Sequence, residues 1–245
     1  MKYYDNDFAV IVPLANESED FDIFVNALKS VFDELQSGTA YFVVDKVSKD
    51  NTLELCRELE KKDERFHTVW APENKNVVDA YLRGLKEAYD KNHDLVIEMD
   101  AGMSHDPMAI IMFIRVLNEG NECAFGSRFI NGGSMADSPL FRRMLSKNGT
   151  RMTNLLLGSQ MYDMTSGFQG FHREILGKIL EYPFLSKAHY YQTEMRYLLR
   201  KKRYREIPIH YRAPSNSVSK GAINNAWKVL FYYFKQRLLF KAKYI

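Results

Sequence analysis

Three short apolar runs constrain this 245-residue chain more than anything else in it: Phe8 to Leu14 (FAVIVPL), Tyr41 to Asp45 (YFVVD) and Leu95 to Asp100 (LVIEMD). Each reads as a strand buried on both faces of a sheet, and the second and third end in a carboxylate. Between and after them the apolar period changes to that of helices, through Phe24, Leu28, Val31 and Leu35, then Leu53, Cys56 and Leu59, then Asn76 to Tyr89, and then Ile110, Ile114 and Leu117. His67 to Trp70 and Cys123 to Gly126 read as further strands, and Ser48 to Asn51 can cap the helix that follows them. Strands alternating with helices at this spacing predict a parallel, doubly wound α/β sheet over residues 1 to about 130. In such sheets ligands gather at the carboxyl ends of the strands, which places Asp100 where a nucleotide, a phosphate or a metal would lie. The oddity is Gly102: a hard cation usually takes more than one protein oxygen, and this position has no side chain.

Beyond Arg128 the alternation stops. Gly132-Gly133 reads as a loop, Leu140 to Leu157 as helix, Gly167 to His172 as short and turn-like, 188–200 as helix and Arg205 to Tyr211 as strand. No linker separates this half from the first, so both belong to one domain. With 46% hydrophobic and 27% charged residues the chain has the composition of an ordinary globular protein, without repeats or low-complexity tracts. Cys56 and Cys123 lack any metal-ligand spacing and read as reduced core thiols of a cytosolic protein. Residues 1–5 lack the apolar core of a secretory signal, and no stretch of about 18 apolar residues occurs. The expectation is a cytoplasmic chain that does not span a membrane.

Charge is distributed unevenly. From Ile207 to Ile245 there are seven bases and no acid, whereas Met1 to Glu206 carries 27 bases against 31 acids. The tail from Trp227 places Trp227, Leu230, Phe231, Phe234 and Leu238 near one helical face with cations elsewhere, the pattern of a membrane-surface helix. The same pattern serves a helix docked on its own domain or on a second copy of the chain, and a homo-oligomer stays open. No RNA- or DNA-binding motif accompanies the basic tail, so nucleic acid is not expected as a partner.

The ordered set IVPLANES, VDKVSKDNT, EMDAGMSHDP, GSRFINGG, PLFRRMLSKN, DMTSGFQGF and SVSK resembles the GT-A glycosyltransferases of family two, and within them most closely the dolichol-phosphate (polyprenyl-phosphate) mannosyltransferase branch. The resemblance runs from Phe8 to Lys220. It implies a Rossmann-like GT-A domain over 1–221, three α/β/α layers around a mostly parallel sheet, with a nucleotide-sugar half (1–130) and an acceptor half (131–221), followed by a basic, aromatic, amphipathic helix over 222–245. It implies an inverting transfer from a GDP- or UDP-sugar to a polyprenyl phosphate at the cytoplasmic face of the cell membrane. Pro13, Asn16, Glu17, Asp45, Asn74, Asp100 and Ala101 would hold the nucleotide sugar, with Mg²⁺ or Mn²⁺ at Asp100. Lys46 stands where the family usually has a second acid. Gly102 and Ser104 stand where it continues the metal motif, and Asp106-Pro107 reads equally as a helix start.

Arg128, Arg142, Ser146, Asp163, Arg212 and Lys220 fall on the acceptor side of the resemblance. Arginine suits phosphate because its planar fork binds two oxygens and stays charged, although one of Arg142 and Arg143 is expected on a solvated helix face. Asp163 serves either to orient a sugar hydroxyl or to cap its turn. Asp100, Arg128 and Glu194 form the expected catalytic set. Glu194 lies where relatives place the carboxylate that deprotonates a hydroxyl, so a saccharide acceptor in capsule or cell-wall synthesis is the second reading. A lipid phosphate, with a second pKa of about 6, needs no such base. The third reading is a family member that binds a nucleotide sugar without turnover. Ala80, Gly84 and Ala88 form a small-residue stripe best explained by close packing.

Overall fold

A computed structural model describes residues 6–212 and 219–245, so the signal-peptide reading of residues 1–5, and Ser217 and Val218 of the SVSK motif, lie outside the described residues. The apolar runs form strands β1 (Phe8–Leu14) and β2 (Thr39–Val44), joined through helix α1 (Phe21–Leu35), which buries Phe21, Phe24, Leu28, Val31 and Leu35 on one stripe. Helix α2 (Thr52–Lys62), strand β3 (Phe66–Trp70), helix α3 (Val77–Asp90) and strand β4 (Leu95–Glu98) complete the first half. β1 pairs in parallel with β2 on one side and β4 on the other, with Ile11 opposite both Tyr41 and Glu98. The small-residue stripe of α3 does pack closely: a Cβ on Gly84 would stand 2.3 Å from Ile11 Cγ2, so any larger residue must push the helix off the sheet.

A 3₁₀ turn (Pro107–Ala109), capped by the Asp106 carboxylate accepting from the Met108 N–H at 3.0 Å, leads into α4 (Ile110–Asn118) and β5 (Cys123–Ser127). Then follow α5 (Leu140–Leu157), β6 (Gln169–His172), α6 (Arg173–Glu181), α7 (Tyr190–Leu199), β7 (Tyr204–Pro208) and α8 (Lys220–Leu238). The sheet has seven strands in the order β3-β2-β1-β4-β6-β5-β7. Gly167 to His172, read above as turn-like, contains β6, the antiparallel strand that bridges β4 and β5. Its identity comes from partners 44 to 77 positions away in sequence and not from any local apolar pattern; Gly170 gives Phe113 and Leu117 room to pack, at 3.1 and 3.3 Å from where its Cβ would stand. Helices α1, α2 and α4 cover one sheet face and α3, α6, α7 and α8 the other, giving three layers.

The tail differs from its expected pattern. Its apolar residues do not share one outward face: Val229, Leu230 and Tyr233 are buried against the domain, while Trp227, Phe231 and Leu238 are exposed and Trp227 stacks on Phe231 at 5.5 Å. The helix is anchored by polar contacts as well. The Tyr233 hydroxyl donates to Glu194 at 2.6 Å, and the Arg237 guanidinium donates to the carbonyls of Leu155 and Leu156 at 3.0 and 2.8 Å, a cation on the carboxyl end of α5. Among the described residues no helix is long and apolar enough to cross a membrane.

Candidate active site

Because β1, β2, β4 and β5 run the same way, the residues that follow them converge on one sheet edge. After β1 the chain turns through Asn16, whose φ of 59° is left-handed. Three successive backbone N–H groups there are held by the loop before α2 and the first residue of that helix: Asn16 by the Ser48 hydroxyl at 3.1 Å, Glu17 by the Thr52 hydroxyl at 2.9 Å and Ser18 by the Asp50 carboxylate at 3.0 Å. The Asn16 side chain in turn accepts from the Lys49 N–H. The N-cap of α1 is Asp20, so neither Asn16 nor Glu17 is spent on that helix end. Asp45 is half-buried and turns its own loop by accepting from the Val47 N–H at 2.8 Å. Asn74 is buried with its Nδ2 lacking a protein partner, an orphan donor of the kind a ligand satisfies. Pro13 is half-buried at the end of β1, and Ala101 is buried.

Asp100 follows β4. One of its oxygens receives the Tyr81 hydroxyl from α3, and its own N–H donates to His105 Nδ1 at 3.0 Å. That bond fixes the tautomer: Nδ1 accepts, so Nε2 carries the proton, buried and without a protein partner. Burial lowers the His105 pKa to about 4, which keeps the ring neutral although Asp100 opposes the shift. The ring is packed between Phe168 and Tyr211, with centroids 5.0 and 5.2 Å away. Between Asp100 and His105 the chain makes a turn in which Gly102 and Met103 have φ of 61° and 55°, two left-handed residues in a row. A Cβ on Gly102 would stand 2.6 Å from Glu17 Oε2. Glu17, half-buried among Asp20, Asp100 and Asp50, has its pKa raised to about 7, first by burial and then by those neighbouring charges.

Arg128 follows β5 and is met by a buried acid. Asp163 accepts from its Nε at 2.7 Å, from its Nη2 at 2.8 Å and from its N–H at 3.1 Å; Thr165 Oγ1 is 2.5 Å from Nη2. Burial by itself would raise the Asp163 pKa, but the charge and hydrogen bonds of Arg128, reinforced by Arg196, hold it well below the usual carboxylate range. Both Asp163 oxygens are used within the chain, and Oδ1 also accepts from the Thr165 N–H at 2.9 Å, as the turn-capping alternative has it. Arg196 is itself fully buried and donates to the carbonyls of Asp163, Gly126 and Phe168, tying α7 to the ends of β5 and β6.

The Arg128 guanidinium lies over the Tyr211 ring at 5.4 Å, and Arg142 reaches the Tyr211 hydroxyl from α5. Arg142 is thus the half-buried member of its pair and Arg143 the exposed one; Ser146, one turn on, shares the Arg142 face. The Arg212 side chain is exposed, while its N–H donates to the Ser104 carbonyl and holds the segment after β7 over the Asp100 turn. Lys220 is exposed at the start of α8.

Glu194 is not brought to this edge as a free base. It is 1% exposed and accepts from the N–H groups of Leu185 and Ser186, at 3.0 and 2.8 Å, and from the Tyr233 hydroxyl, so both oxygens are engaged beneath α8. The residue of that helix that does reach the site is Gln192: its Nε2 and the Asp100 Oδ1 both close on Gly167, at 3.1 and 3.2 Å from where a Cβ would stand. Sequence reasoning also missed Tyr81, which looks like one more apolar position of α3, and Glu98, a buried acid on β4 with Gln169 Nε2 donating at 2.6 Å and its pKa raised to about 8 by burial. An acid inside the apolar run LVIE was the available signal.

The family model for glycosyl transferase family 2 matches residues 9–180, from β1 through α6. The chain belongs to glycosyl transferase family 2. This glycosyltransferase is 28% identical over 225 residues to polyprenol monophosphomannose synthase of Mycolicibacterium smegmatis, covering 91% of this chain and 83% of that protein. It is 26% identical to undecaprenyl-phosphate mannosyltransferase of Micrococcus luteus, covering 82% of each. With dolichol-phosphate mannosyltransferase of Pyrococcus furiosus the identity is 31% over 69% of this chain and 47% of that one. Among solved structures, glucosyl-3-phosphoglycerate synthase from Mycobacterium tuberculosis, in complex with UDP, superposes with a TM-score of 0.69 at 14% identity, over 94% of this chain and 81% of that one. The mostly parallel seven-stranded sheet between helices is the GT-A fold.

Proposed function

We propose that this glycosyltransferase moves a sugar from a GDP- or UDP-sugar to a polyprenyl phosphate, with inversion at the anomeric carbon. The relatives in hand are named for transfer to polyprenol, undecaprenyl phosphate and dolichol phosphate. The observation that carries the reading is a pairing of opposites: Glu194 is sealed under α8, while Arg142 is half-buried and meets Tyr211, the ring that packs on His105. A hydroxyl acceptor needs a base near the reacting oxygen, whereas a phosphate arrives anionic and needs cations to hold it. In the reaction, a phosphate oxygen of the acceptor attacks the anomeric carbon as the bond from that carbon to the diphosphate breaks, and the nucleoside diphosphate leaves with the electron pair.

In this reading Asp45, Asn74 and the loop from Pro13 to Glu17 hold the nucleoside, Asp100 and Ala101 face the diphosphate, and Arg142, Ser146, Arg212 and Lys220 meet the acceptor phosphate. Arg128, fixed by Asp163, supplies positive charge beside the reacting groups. The donors around Asp100 fit a hard divalent cation because they are oxygens at a strand end. Among the described residues no three His, Cys, Asp or Glu side chains converge as a cage, so phosphates of the substrate belong to the shell. Mg²⁺ or Mn²⁺ bound there would neutralise charge on the leaving diphosphate.

The membrane face is formed by α5 with α8. Neither helix contains an acid; α5 carries Arg142, Arg143, Lys147 and Arg151 and exposes Leu140, Phe141, Met144 and Leu145, and α8 exposes Trp227, Phe231 and Leu238. Exposed apolar groups amid cations suit an anionic bilayer, which would place the protein peripherally at the cytoplasmic face of the membrane. The test of the activity is incubation with a panel of GDP- and UDP-sugars and short-chain polyprenyl phosphates. A sugar-phosphate lipid product is expected; absence of both transfer and donor hydrolysis across the panel overturns the reading.

A further inference from the structure

Gly102 departs from the family motif, and the structure gives the reason a side chain is missing there. The turn imposes a left-handed φ of 61°, and the space in front of the Cα is already taken by the Glu17 carboxylate, 2.6 Å from the position of a Cβ. An acid at 102 and the observed Glu17 cannot both occupy that hollow. Glu17 gets there because the loop after β1 is tied down on three successive N–H groups, by Ser48, Thr52 and Asp50, while the left-handed Asn16 turns the chain toward β4. The Glu17 carboxylate makes no part of the α1 cap, and its Oε2 faces Gly102, two residues on from Asp100.

We infer that Glu17 supplies, from the end of β1, the second protein carboxylate for the divalent cation at Asp100, in place of the acid that Gly102 lacks. The inference rests on the proposed sugar-nucleotide role of this corner and reassigns Glu17 within it, from the nucleoside to the cation. Two carboxylates approaching from different strands, with neither flanked by a cationic side chain on its own turn, form a donor pair for an ion that keeps waters and takes substrate phosphates for the rest of its shell. The arrangement also accounts for Gly102 as a necessity of the exchange: once the carboxylate comes from β1, the β4 turn must leave room for it.

The test uses the full chain and Mn²⁺ alone, titrated while the electron paramagnetic resonance signal of the free ion is followed. Glu17→Gln and Asp100→Asn are each expected to weaken Mn²⁺ binding about tenfold or more. The double variant Glu17→Ala with Gly102→Asp is expected to recover most of it, since the acid then enters the same hollow from β4, and aspartate tolerates a left-handed φ better than most residues. Gly102→Ala in the native chain removes no ligand but displaces Glu17, so Mn²⁺ binding falls there as well. Binding unchanged in Glu17→Gln, no Mn²⁺ binding by the native chain, or a double variant no better than Glu17→Ala alone overturns the assignment.

Calorimetry with GDP and UDP in the presence of EDTA separates the two readings. Metal-free nucleotide affinity that survives Glu17→Gln while Mn²⁺ binding is lost supports the cation role; its loss in Glu17→Gln returns Glu17 to the nucleoside and overturns the inference. A native chain that binds neither nucleotide fails the proposed function, and the Mn²⁺ titrations still decide Glu17.

Discussion

The two sides of this site handle charge in opposite ways. At the ends of β1 and β4, Asp100 has a hydroxyl and an imidazole beside it and Glu17 faces Gly102, two residues on; among the described residues neither carboxylate is paired with a guanidinium, and Glu98 lies buried at the end of β4. At the end of β5, Arg128 is 6% exposed and clasped by Asp163 through two side-chain bonds and one backbone bond. The first side is left in electrostatic debt and is completed by something that arrives; the second is complete within the chain and is rigid before any substrate comes. A site that must bind and release a diphosphate with its cation on every turnover has reason to leave that half open. The half that only has to present a fixed cation is better built in advance.

The largest effect is expected where the open side loses its central group. Asp100→Asn should reduce single-turnover sugar transfer by about a thousandfold, the scale of losing a principal charge contact in the transition state, with unfolding temperature little changed. Transfer within about tenfold of the native rate would show that the open side is not where the diphosphate is handled. On the closed side, Asp163→Asn should act on stability first. It leaves the Arg128 charge buried against a neutral partner, and unfolding in urea should show a loss of about 3 kcal/mol or more. Replacing both partners together, by Arg128→Met with Asp163→Leu, should cost less than either single change. That result would mark the pair as a device for placing charge and not as a source of stability.

How much of this was legible in sequence follows the same division. Strands β1, β2 and β4 were readable because their apolar runs are local, and Asp45 and Asp100 were readable because they end such runs. The reversal at β6 was not, because Gln169 to His172 owes its strand to β4 and β5 and has no pattern of its own. Arg128 and Asp163 were each singled out, but nothing in a sequence says that residues 35 apart form one buried pair. Arg196 and Glu194 lie on a helix that is buried all round, where polar residues read as breaks in an apolar pattern and the fold uses them to tie down carbonyls and α8. Gly102 was visible as an anomaly; its filling by Glu17 required three dimensions.

The contrast between the sides extends to pH, with opposite signs. Glu98 has its pKa raised from 4.5 to about 8, chiefly by burial. The folded state therefore keeps a proton that the unfolded chain gives up, so stability from this group is full below about 4.5 and is lost as pH rises toward and through about 8. Asp163 is shifted down, so its contribution is present above its ordinary value of 3.8 and is lost only as pH falls further into acid. Thermal unfolding of the native chain should weaken from pH 5 to pH 8, and Glu98→Gln, which keeps an acceptor for Gln169 and never ionises, should flatten that slope. An equal slope in Glu98→Gln would mean that the open side does not store its buried acid protonated.

The smallest expected effect concerns Glu194, and it decides which side of the comparison this acid belongs to. With both oxygens satisfied by the Leu185 and Ser186 N–H groups and the Tyr233 hydroxyl, Glu194 resembles Asp163, an acid spent on structure, more than it resembles Asp100. Glu194→Gln keeps one acceptor oxygen and the side-chain shape but sets an NH₂ against groups that are themselves donors. It should therefore loosen the seat of α8, lowering the unfolding temperature by several degrees, the shift about 1 kcal/mol produces in a chain of this size. Turnover on a polyprenyl phosphate should remain within about threefold of native, because a phosphate acceptor has no proton to surrender to a base. A loss of 100-fold or more, the low end of what general-base catalysis contributes, would restore Glu194 to the reacting oxygen and with it a hydroxyl acceptor. The α8 seat and the chemistry can be read separately in the same variant, so a drop in stability without a drop in turnover places Glu194 with the closed, self-satisfied half of the molecule.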